Sequence, residues 1–576
     1  MATLLSCLSD TETQPLQFGT SGRRGLLRHL SQLELAINVW AELQFLQSLP
    51  IGEGGIVAGD TVYLAYDLRP SSSTWIDSNP ARGELAQAMV WAIRQAGMIP
   101  QNLGTVPTPA LACHALSQGK ACMMVTGSHI PFDRNGYKTY TAIGELSKAH
   151  EHPIAEHVAR IRQQLYGQSR EESCFGADGQ FKTGSQPLPE ASPVAVHRYR
   201  QRTVDFFGSE ALSGLNIMVY QHSAVGRDLL ADLLTDLGAE VLAVGRSEQF
   251  IPVDTENMDQ TRLAELQTLY DQSACGRHFD AVVSTDGDSD RPLLLGVTPD
   301  TAQLHFIPGD RLGMLTALYL KPDAVVVPIS CNDAIDHTEL AAVLQSKTRI
   351  GSPYVIAGME QARQQGKLRI CGFEANGGFL TGSDFERKGR VLKALPTRDA
   401  VLPLVAVLAH CRQQNVSVLH ACQQLPQRYG HSGLIRDFPR TLGQALVQRY
   451  SPQDASITAL HHQNNGWVAH THTAPLPTPL PAHAQDTIQN IIQPLALVFS
   501  PELGFGELIS LNVLDGLRLG FSNGDVAHIR PSGNADELRI YAVANTPARA
   551  VDITALALAE PDGLLRRLSN ASSTSP

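Results

Sequence analysis

The sequence lacks the features that mark secreted proteins, proteins with a structural zinc site and membrane-spanning proteins. Its nine cysteines are odd in number and none forms a C-x-x-C pair, which argues against a disulfide framework or a structural zinc site. The longest apolar run, around 400–411, is interrupted by Pro403, and no segment approaches the ~20 apolar residues of a membrane span. The first residues have no basic region and too short an apolar stretch for a signal peptide. We therefore expect a soluble, cytoplasmic protein with reduced thiols.

Positive charge is scarce as well. The 45 Lys and Arg residues are outnumbered by 56 Asp and Glu residues, which gives a formal net charge of −11. A chain this acidic is unsuited to general binding of DNA or RNA, which requires a basic surface. An anionic substrate would require positive groups gathered locally in a cleft. No P-loop or dinucleotide fingerprint is present, because the segment 52–57 starts like G-x-G-x-x-G but lacks the last glycine.

The length and an internal repeat indicate several α/β domains. The 576 residues correspond to about four domains of ~150 residues each. A short apolar strand, a polar turn, a helix and a further strand recur three times, which is the βαβ order of parallel strands covered by helices. The predicted strands are 62–66, 215–220 and 324–327, and the predicted helices are 83–95, 227–237 and the stretch after Asp333 to about 345. Ligands of such sheets gather outside the carboxyl ends of the strands.

The C-terminal part of the chain shows a different pattern. Strands predicted at 509–513, 517–521 and 538–544 are not separated by long helices, which indicates a smaller α+β domain. Residues 186–193 and 473–481 contain several prolines and are predicted to be surface linkers or insertions. The polar tail 568–576 is predicted to be disordered.

An acidic loop follows the predicted strand 281–284. Asp286, Asp288 and Asp290 stand at alternate positions of the segment D-G-D-S-D-R-P, where they can converge on one hard cation that relieves their mutual repulsion. The segment does not fit an EF-hand, because Arg291 and Val297 occupy the positions of its Gly and Glu. A solvated acidic turn is the alternative. We predict a site for a divalent metal ion here.

A serine loop follows the apolar run 121–125. Its sequence T-G-S-H-I-P places Ser128 on a turn at a strand end, where a seryl oxygen can act as an exposed nucleophile. A turn-capping serine is the alternative, and the loop lacks the G-x-S-x-G elbow of hydrolases. His129 is its neighbour in sequence. Lys138 can serve in proton transfer if burial or nearby cations lower its pKa.

Three further segments are suited to a sugar phosphate, although each is weak alone. Residues 530–537 combine an arginine, a hydroxyl and backbone N–H groups that can cradle phosphate, or they form a simple hairpin turn. Glu374 and Asn376 lie two apart, so an extended loop would point both in one direction, towards adjacent sugar hydroxyls. Residues 18–25 form a glycine-rich, doubly cationic segment suited to an anion.

Together the five motifs resemble those of the α-D-phosphohexomutase superfamily, the bacterial phosphomannomutases and phosphoglucomutases. The resemblance spans about 18–545 and implies three similar tandem α/β domains with mixed, mostly parallel sheets, plus a smaller α+β domain, around a central cleft. We place the domains at 1–195, 196–305, 306–425 and 426–576; in order they carry the serine, metal, sugar-binding and phosphate-binding loops.

The resemblance also implies roles for individual residues. Ser128 matches the phosphoserine, His129 its active-site neighbour, and Lys138 the proposed general acid/base. It implies a Mg²⁺ site formed by Ser128, Asp286, Asp288 and Asp290, with Arg291 beside it. The remaining matches are the sugar-binding Glu374 and Asn376, the phosphate-binding Arg530, Ser532, Gly533 and Asn534, and the N-terminal cleft residue Arg24.

Three positions depart from the commonest motifs of the family. Gly127 and Ile130 replace the Ala and Asn of T-A-S-H-N-P, and Asn376 replaces the Ser of the sugar loop. The variants T-G-S-H-I-P and R-P-S-G-N-A resemble those of phosphomannomutases. The substitution at Asn376 leaves the hexose preference open.

The implied reaction exchanges hexose 1-phosphate and hexose 6-phosphate. Ser128 passes a phosphoryl group to the free hydroxyl, and the hexose 1,6-bisphosphate turns round and returns its other phosphate. The expected partners are small-molecule hexose phosphates, without nucleic acid or membrane, and the expected state is a monomer or weak homodimer. Mannose is the predicted sugar. Phosphoglucomutase or dual activity is the first alternative, and an Asp-nucleophile phosphatase or a non-catalytic sugar-phosphate sensor are the others.

Overall fold

The computed structural model describes residues 3–8, 15–77, 81–256, 258–463, 466–471, 478–532 and 536–570. The chain divides into two compact units. The first contains residues up to 327 together with 343–346 and 351–424, and the second contains 328–342, 347–350 and the chain from 425 onward.

The first unit begins with a mixed six-stranded sheet, the N-terminal sheet. Its strands and the short β4–β5 hairpin are β1 (Gln17–Phe18), β2 (Arg23–Leu26), β3 (Thr61–Tyr66), β4 (Trp75–Ile76), β5 (Arg82–Gly83), β6 (Ile99–Asn102), β7 (Cys122–Val125) and β8 (Arg134–Tyr140). The accompanying helices are α1 (Gln32–Ser48), α2 (Pro70–Ser73), α3 (Leu85–Gln95), α4 (Thr108–Ser117), α5 (Glu151–Tyr166) and α6 (Val194–Phe207). The strand order is β1-β2-β8-β7-β3-β6, with β3 parallel to β6 and β7 and the other pairs antiparallel.

Two further mixed sheets complete the first unit. The second sheet, in the order β10-β9-β11-β12-β13, comprises β9 (Asn216–His222), β10 (Glu240–Arg246), β11 (Ala281–Thr285), β12 (Pro292–Val297) and β13 (Leu304–Ile307), with α7 (Arg227–Asp236) and α8 (Gln260–Ala274). The third sheet, in the order β14-β15-β16-β19, comprises β14 (Ala324–Val326), β15 (Ile370–Phe373), β16 (Phe379–Thr381) and β19 (Leu395–Asp399). It is accompanied by the hairpin β17 (Phe385–Arg387) and β18 (Arg390–Leu392) and by α9 (Gly309–Leu320), α10 (Ser352–Gln364), α11 (Val401–Gln414) and α12 (Val418–Gln423).

The same hairpin recurs in all three sheets. Strands β7, β11 and β15 are entirely buried, and each pairs parallel with the strand on one side. Each then turns back through a short loop into an antiparallel neighbour, β8, β12 or β16. The three loops are 126–133, 286–291 and 374–378, which are the serine loop, the metal loop and the sugar loop. The burial of the preceding strands explains their continuous apolar runs.

The second unit is built on an antiparallel sheet, the C-terminal sheet, in the order β20-β27-β26-β25-β24-β21-β22-β23. Its strands are β20 (Tyr429–Arg436), β21 (Ile457–Gln463), β22 (Gly466–Thr471), β23 (Thr478–Pro479), β24 (Leu508–Asn512), β25 (Leu517–Phe521), β26 (Val526–Pro531) and β27 (Glu537–Ala544). Its helices are α13 (Arg440–Arg449), α14 (Ala482–Val498), α15 (Pro547–Leu558) and α16 (Leu564–Asn570). The α+β prediction for this part is confirmed.

Four details differ from the sequence-based predictions. Parallel pairs do not dominate the sheets, because each central strand has an antiparallel partner across its motif loop. The third predicted helix, up to about 345, is two short 3₁₀ segments, Asp333–His337 and Glu339–Ala342. The C-terminal part includes the long helix α14. The predicted tail is helical up to Asn570, with Leu568 buried, and residues 571–576 lie outside the described part.

The described parts of the two predicted linkers lie at the surface. Residues 186–193 have no regular structure and are mostly exposed, while 473–477 fall outside the described residues. The apolar run 400–411 belongs to the buried helix α11, which tolerates Pro403 in its first turn. Among the described residues, no helix has both the length and the apolar character needed to cross a membrane.

A buried carboxylate ties α1 to the strands that carry the site. Glu42, on α1, accepts hydrogen bonds from Arg23 Nε at 2.7 Å, Tyr137 Oη at 2.9 Å and Thr139 Oγ1 at 2.6 Å. Arg23 is itself buried, so losing the carboxylate would leave a buried cation without its counter-charge.

We expect Glu42→Gln to destabilise the first unit by about 3 kcal/mol, because the amide cannot neutralise Arg23. The measurement is the unfolding midpoint in urea. Glu171→Gln, at an exposed position, is the control and should not shift the midpoint. Equal midpoints for the two variants would contradict the expectation.

Candidate active site

The serine loop and the metal loop meet directly. Ser128 Oγ lies 2.6 Å from Asp286 Oδ2 and donates a hydrogen bond to it, although 158 positions separate the two residues. Both residues belong to the first unit. Ser128 is only 1% exposed, so the nucleophile predicted to be exposed is buried in this structure.

The serine loop holds Ser128 in an unusual backbone conformation. Its φ angle is +54°, in the left-handed region that non-glycine residues seldom adopt. The Ser128 N–H donates to Thr126 Oγ1 at 2.7 Å, and Thr126 Oγ1 in turn donates to Asp67 Oδ2 at 2.7 Å. His129 Nδ1 lies 3.3 Å from Ser128 Oγ. Burial, together with the charges of Arg291 and Arg24, lowers the pKa of His129 well below its usual value, so its ring is neutral.

The three aspartates of the metal loop form one buried cluster. One carboxylate oxygen from each of Asp286, Asp288 and Asp290 lies within 4.8 Å of the others, and all three residues are at most 1% exposed. Asp288 Oδ1 and Asp290 Oδ1 are buried and accept no hydrogen bond within the described residues. Buried carboxylates this close together, two of them with an oxygen that accepts no hydrogen bond, are a donor set that suits a hard divalent cation.

The pKa values of the cluster reflect this crowding. Burial and repulsion from Asp288 and Asp290 raise the pKa of Asp286 well above its usual value. Burial would also raise the pKa of Asp288, but the ion pair with Lys138 and the hydrogen bond from Thr108 outweigh it and lower the pKa.

Cationic side chains surround the acidic cluster. Lys138 Nζ contacts Asp288 Oδ2 at 2.7 Å and also Asp290 Oδ2. Arg291 Nε lies 3.7 Å from Asp290 Oδ1. Burial alone would lower the pKa of Lys138, but Asp288 and Asp290 more than offset it, so the net shift is upward. The lowered pKa on which a proton-transfer role was predicted is therefore not found in this structure.

Arg24 is the cation of the predicted N-terminal motif. It lies on β2, beside the strand that carries Lys138. Burial and repulsion from Arg291 lower the pKa of Arg24 to about 10, while Asp288 opposes the shift. This coupling places Arg24 in the electrostatic field of the metal loop.

The sugar loop is joined to the metal loop by a residue that the sequence analysis missed. Arg398, on β19, donates from Nε to Glu374 Oε2 and places Nη1 3.7 Å from Asp290 Oδ2. Residues 374–377 form a turn closed by the Gly377 N–H on the Glu374 carbonyl, not the extended loop that was predicted. Asn376 Oδ1 accepts from the Gly378 N–H at 3.0 Å and so shapes the loop itself.

The predicted phosphate loop belongs to the second unit. Arg530 Nε donates to Asp515 Oδ1 at 2.8 Å, and the Ser532 N–H donates to the Glu537 carbonyl at 2.9 Å. Gly533 and Asn534 lie outside the described residues. His528, two residues before Arg530, is buried with Nε2 2.7 Å from the Asp515 carbonyl oxygen.

Three further residues support the site without having been singled out as functional. Thr108, at the start of α4, donates to Asp288 Oδ2 at 2.6 Å. Asp67 receives the Thr126 hydroxyl, and Arg69 donates to the carbonyl oxygens of Ile130 and Pro131. The sequence did offer a signal for Asp67 and Arg69, because both belong to the polar turn D-L-R-P-S-S-S directly after a predicted central strand.

Comparisons with known proteins agree on one family. Residues 15–165 match the family model described as phosphoglucomutase/phosphomannomutase, alpha/beta/alpha domain I, and residues 308–429 match that for alpha/beta/alpha domain III. The chain is 36% identical to a phosphomannomutase of Sinorhizobium fredii over 94% of this chain and 98% of that protein. It is 33% identical to a phosphomannomutase of Salmonella muenchen over 96% of this chain and 97% of that protein.

A solved structure supports the fold. A phosphoglucomutase/phosphomannomutase family protein from Burkholderia thailandensis matches with a TM-score of 0.61 at 17% identity, over 99% of each chain.

We expect Asp288→Asn to weaken Mg²⁺ or Mn²⁺ binding roughly tenfold or more, because the cluster loses one negative ligand. Calorimetric titration with each ion is the measurement. Asp300→Asn, in an exposed turn, should bind as the unchanged protein does. Unaltered affinity in Asp288→Asn would contradict the metal assignment.

The stability of the fold should depend on pH through the buried side chain of His528. Burial lowers the pKa of His528 to about 4, whereas an unfolded histidine titrates near ~6.5, so the unfolded chain takes up the proton first. Stability is therefore complete above pH ~6.5 and falls by up to about 3 kcal/mol as the pH drops towards 4. His528→Gln keeps an N–H donor and should flatten this dependence in urea unfolding. His462→Gln, at an exposed position, should keep the original slope; identical slopes in both variants would rule out the role of His528.

Proposed function

The chain belongs to the phosphoglucomutase/phosphomannomutase family of mutases, and from this premise we propose that it interconverts mannose 1-phosphate and mannose 6-phosphate through a phosphoserine at Ser128. The observation that carries the proposal is the 2.6 Å contact between Ser128 Oγ and Asp286. A seryl hydroxyl held against an acidic cluster is placed to carry a phosphoryl group beside a divalent cation.

The charges of the site support this assignment. Four buried carboxylates lie among four cationic side chains, which offset the cost of burying so many acidic groups. The carboxylates belong to Asp286, Asp288, Asp290 and Glu374, and the cations to Lys138, Arg24, Arg291 and Arg398. A phosphoryl group carries close to two negative charges, so it and a divalent cation together add little net charge.

The residues that would hold the cation are Asp286, Asp288 and Asp290, with the phosphoryl group on Ser128 as a further ligand. Their free carboxylate oxygens, Asp288 Oδ1 and Asp290 Oδ1, fit Mg²⁺, which prefers oxygen ligands. When bound, Mg²⁺ supplies stabilisation of the negative charge that is distributed over the transferring group.

Lys138 and Arg291 act on the reacting groups. Lys138 takes the proton from the sugar hydroxyl that receives the phosphoryl group and returns it in the reverse step. Its ammonium is engaged by Asp288 and Asp290 here, so it must leave those carboxylates and lose a proton before it can act as a base. Arg291, beside Asp290, adds positive charge at the transferring group, and neutral His129 lies against the seryl oxygen.

The remaining residues bind the substrate. Glu374 and Asn376 hold the sugar hydroxyls, with Arg398 orienting Glu374. The distal phosphate is held by Arg530, Ser532, Gly533 and Asn534, which contributes binding energy for orientation. The bisphosphate, hexose 1,6-bisphosphate, is the intermediate and the activator. Mannose is favoured because the two relatives at 36% and 33% identity described above are named phosphomannomutases.

The proposal assigns one loop to each of four domains, at 1–195, 196–305, 306–425 and 426–576. It also includes a cytoplasmic location and a monomer or weak homodimer. The two matched family segments, 15–165 and 308–429, support the first and third of these domains.

The phosphatase alternative would place the phosphoryl group on Asp286 instead of Ser128. Both carboxylate oxygens of Asp286 are engaged: Oδ2 accepts from Ser128, and Oδ1 accepts from the backbone N–H groups of Asp290 and Arg291 at 3.1 Å each. This arrangement favours Ser128 over Asp286 as the residue that carries phosphate.

We expect Ser128→Ala to reduce turnover by at least about a thousandfold while changing substrate affinity less than about threefold, because only the phosphoryl carrier is removed. The measurement is a coupled assay with mannose 1-phosphate and glucose 1-phosphate, primed with a trace of hexose 1,6-bisphosphate. The ratio of the two rates also decides between mannose and glucose.

Ser117→Ala, at the end of α4, is the matched control and should keep full activity. Labelling with ³²P-bisphosphate should mark Ser128 in the unchanged protein. Label on Asp286, or full turnover in Ser128→Ala, would overturn the mechanism.

A further inference from the structure

The backbone of the serine loop is held by one arginine that no motif of the site includes. Arg69 donates from Nη1 to the Pro131 carbonyl at 2.7 Å, and from Nη2 to the carbonyls of Ile130 at 2.8 Å and Ser128 at 3.3 Å. Its side chain is buried. One planar guanidinium therefore satisfies three carbonyl groups of the loop that carries the seryl oxygen.

Asp67, in the same polar turn as Arg69, holds the hydrogen-bond donors of the serine loop. Asp67 Oδ2 accepts from the Thr126 hydroxyl at 2.7 Å and from the Gly127 N–H at 3.3 Å, while its Oδ1 accepts from the Arg69 N–H at 3.1 Å. Donors of the loop thus point to Asp67 and acceptors point to Arg69. This pairing stabilises Ser128 at a φ of +54°.

Gly127 is the residue that leaves room for the guanidinium. A Cβ atom at this position would lie 2.7 Å from Arg69 Cζ and Nε and 2.8 Å from Nη2, so the end of the Arg69 side chain would have to shift. A shift would cost the hydrogen bonds that the guanidinium donates to the loop carbonyls. Glycine has no Cβ, so the guanidinium can lie against the loop at this position.

Phe250 lies against the Arg69 guanidinium. The Arg69 guanidinium carbon lies 4.0 Å from the centroid of the Phe250 ring, a distance at which cation and ring attract. A Cβ on Gly287 would lie 3.3 Å from this ring and 2.6 Å from the Ser128 carbonyl oxygen. The stack therefore connects the serine loop with the metal loop.

We propose that Arg69 is a positioning residue for Ser128, that Gly127 is required because Arg69 occupies the space of its side chain, and that Phe250 fixes the guanidinium between the two loops. The kinetic test of this inference rests on the proposed function, because it measures turnover of hexose phosphates. It assigns no chemical step to Arg69, whose effect is on the placement of the seryl oxygen.

The test is a double-mutant cycle on Gly127 and Arg69. Gly127→Ala should lower kcat at least tenfold with KM changed less than about threefold, because misplacing the nucleophile affects transfer more than binding. Arg69→Lys keeps the charge but not the planar group that blocks a Cβ. In that background Gly127→Ala should cost less than about threefold, so the two losses are non-additive.

Two more variants sharpen the test. Phe250→Leu keeps an apolar side chain but removes the ring and should lower kcat several-fold at unchanged KM. Gly52→Ala adds a methyl where nothing lies within 4 Å and should leave kcat, KM and the thermal midpoint unchanged. The midpoint of thermal unfolding is also measured for each variant of the double-mutant cycle. These midpoints report the packing of Arg69 against Gly127 independently of activity.

The outcomes separate the two proposals. If the unchanged protein does not turn over hexose phosphates, the proposed function fails, and the thermal cycle alone decides whether Arg69 and Gly127 interact. If it does turn over, full activity in Gly127→Ala, or losses that multiply in the double variant, overturns the positioning role. A KM increase with unchanged kcat would overturn it as well.

Discussion

The contact between a seryl hydroxyl and a buried carboxylate is the constraint on which the site depends. Asp286 can remain buried beside Asp288 and Asp290 only because positive groups and hydrogen-bond donors surround the cluster. Lys138 comes from the same hairpin as Ser128, so the loop that brings the hydroxyl also brings a counter-charge. The meeting of the two loops is therefore an electrostatic requirement as well as a geometric one.

Strain and close approach accompany this arrangement. Ser128 and Ser289, one in each loop, have φ angles of +54° and +56°. Such conformations persist where surrounding contacts determine them, and Ser289 Oγ accepts from the Gly226 N–H at 2.9 Å and from Thr285 Oγ1 at 2.8 Å. At Gly287 a side chain would strike the Ser128 carbonyl, so the metal loop can approach the serine loop only with glycine there. The backbone of each loop is thus shaped by contact with its neighbours.

The sequence predicted the location of the site better than its supporting contacts. Apolar runs followed by polar loops identified the serine and metal loops, because a buried central strand and the turn at its carboxyl end leave a local pattern. Thr108 and Arg398 left no such pattern, since their partners lie far along the chain; Thr108 and Asp288 are 180 positions apart. The helix predicted after Asp333 proved to be 3₁₀ segments because Asn332 caps a short turn that the periodicity of the sequence did not distinguish from an α-helix.

Burial of the seryl oxygen sets opposite demands on the enzyme. A phosphoserine survives only if water is kept from it, and a residue that is 1% exposed meets that condition. The same burial excludes a hexose phosphate, so this arrangement must open before substrate reaches Ser128. If Lys138 acts as proposed, it gives a physical reason for two states: while its ammonium is paired with Asp288 and Asp290, it cannot accept a proton. In the proposed mechanism, release of that ion pair would expose the carboxylates to a cation and remove the charges that raise the pKa of Lys138. The ammonium would then lose a proton to solvent as the site opens, and the resulting amine would take one from the sugar hydroxyl.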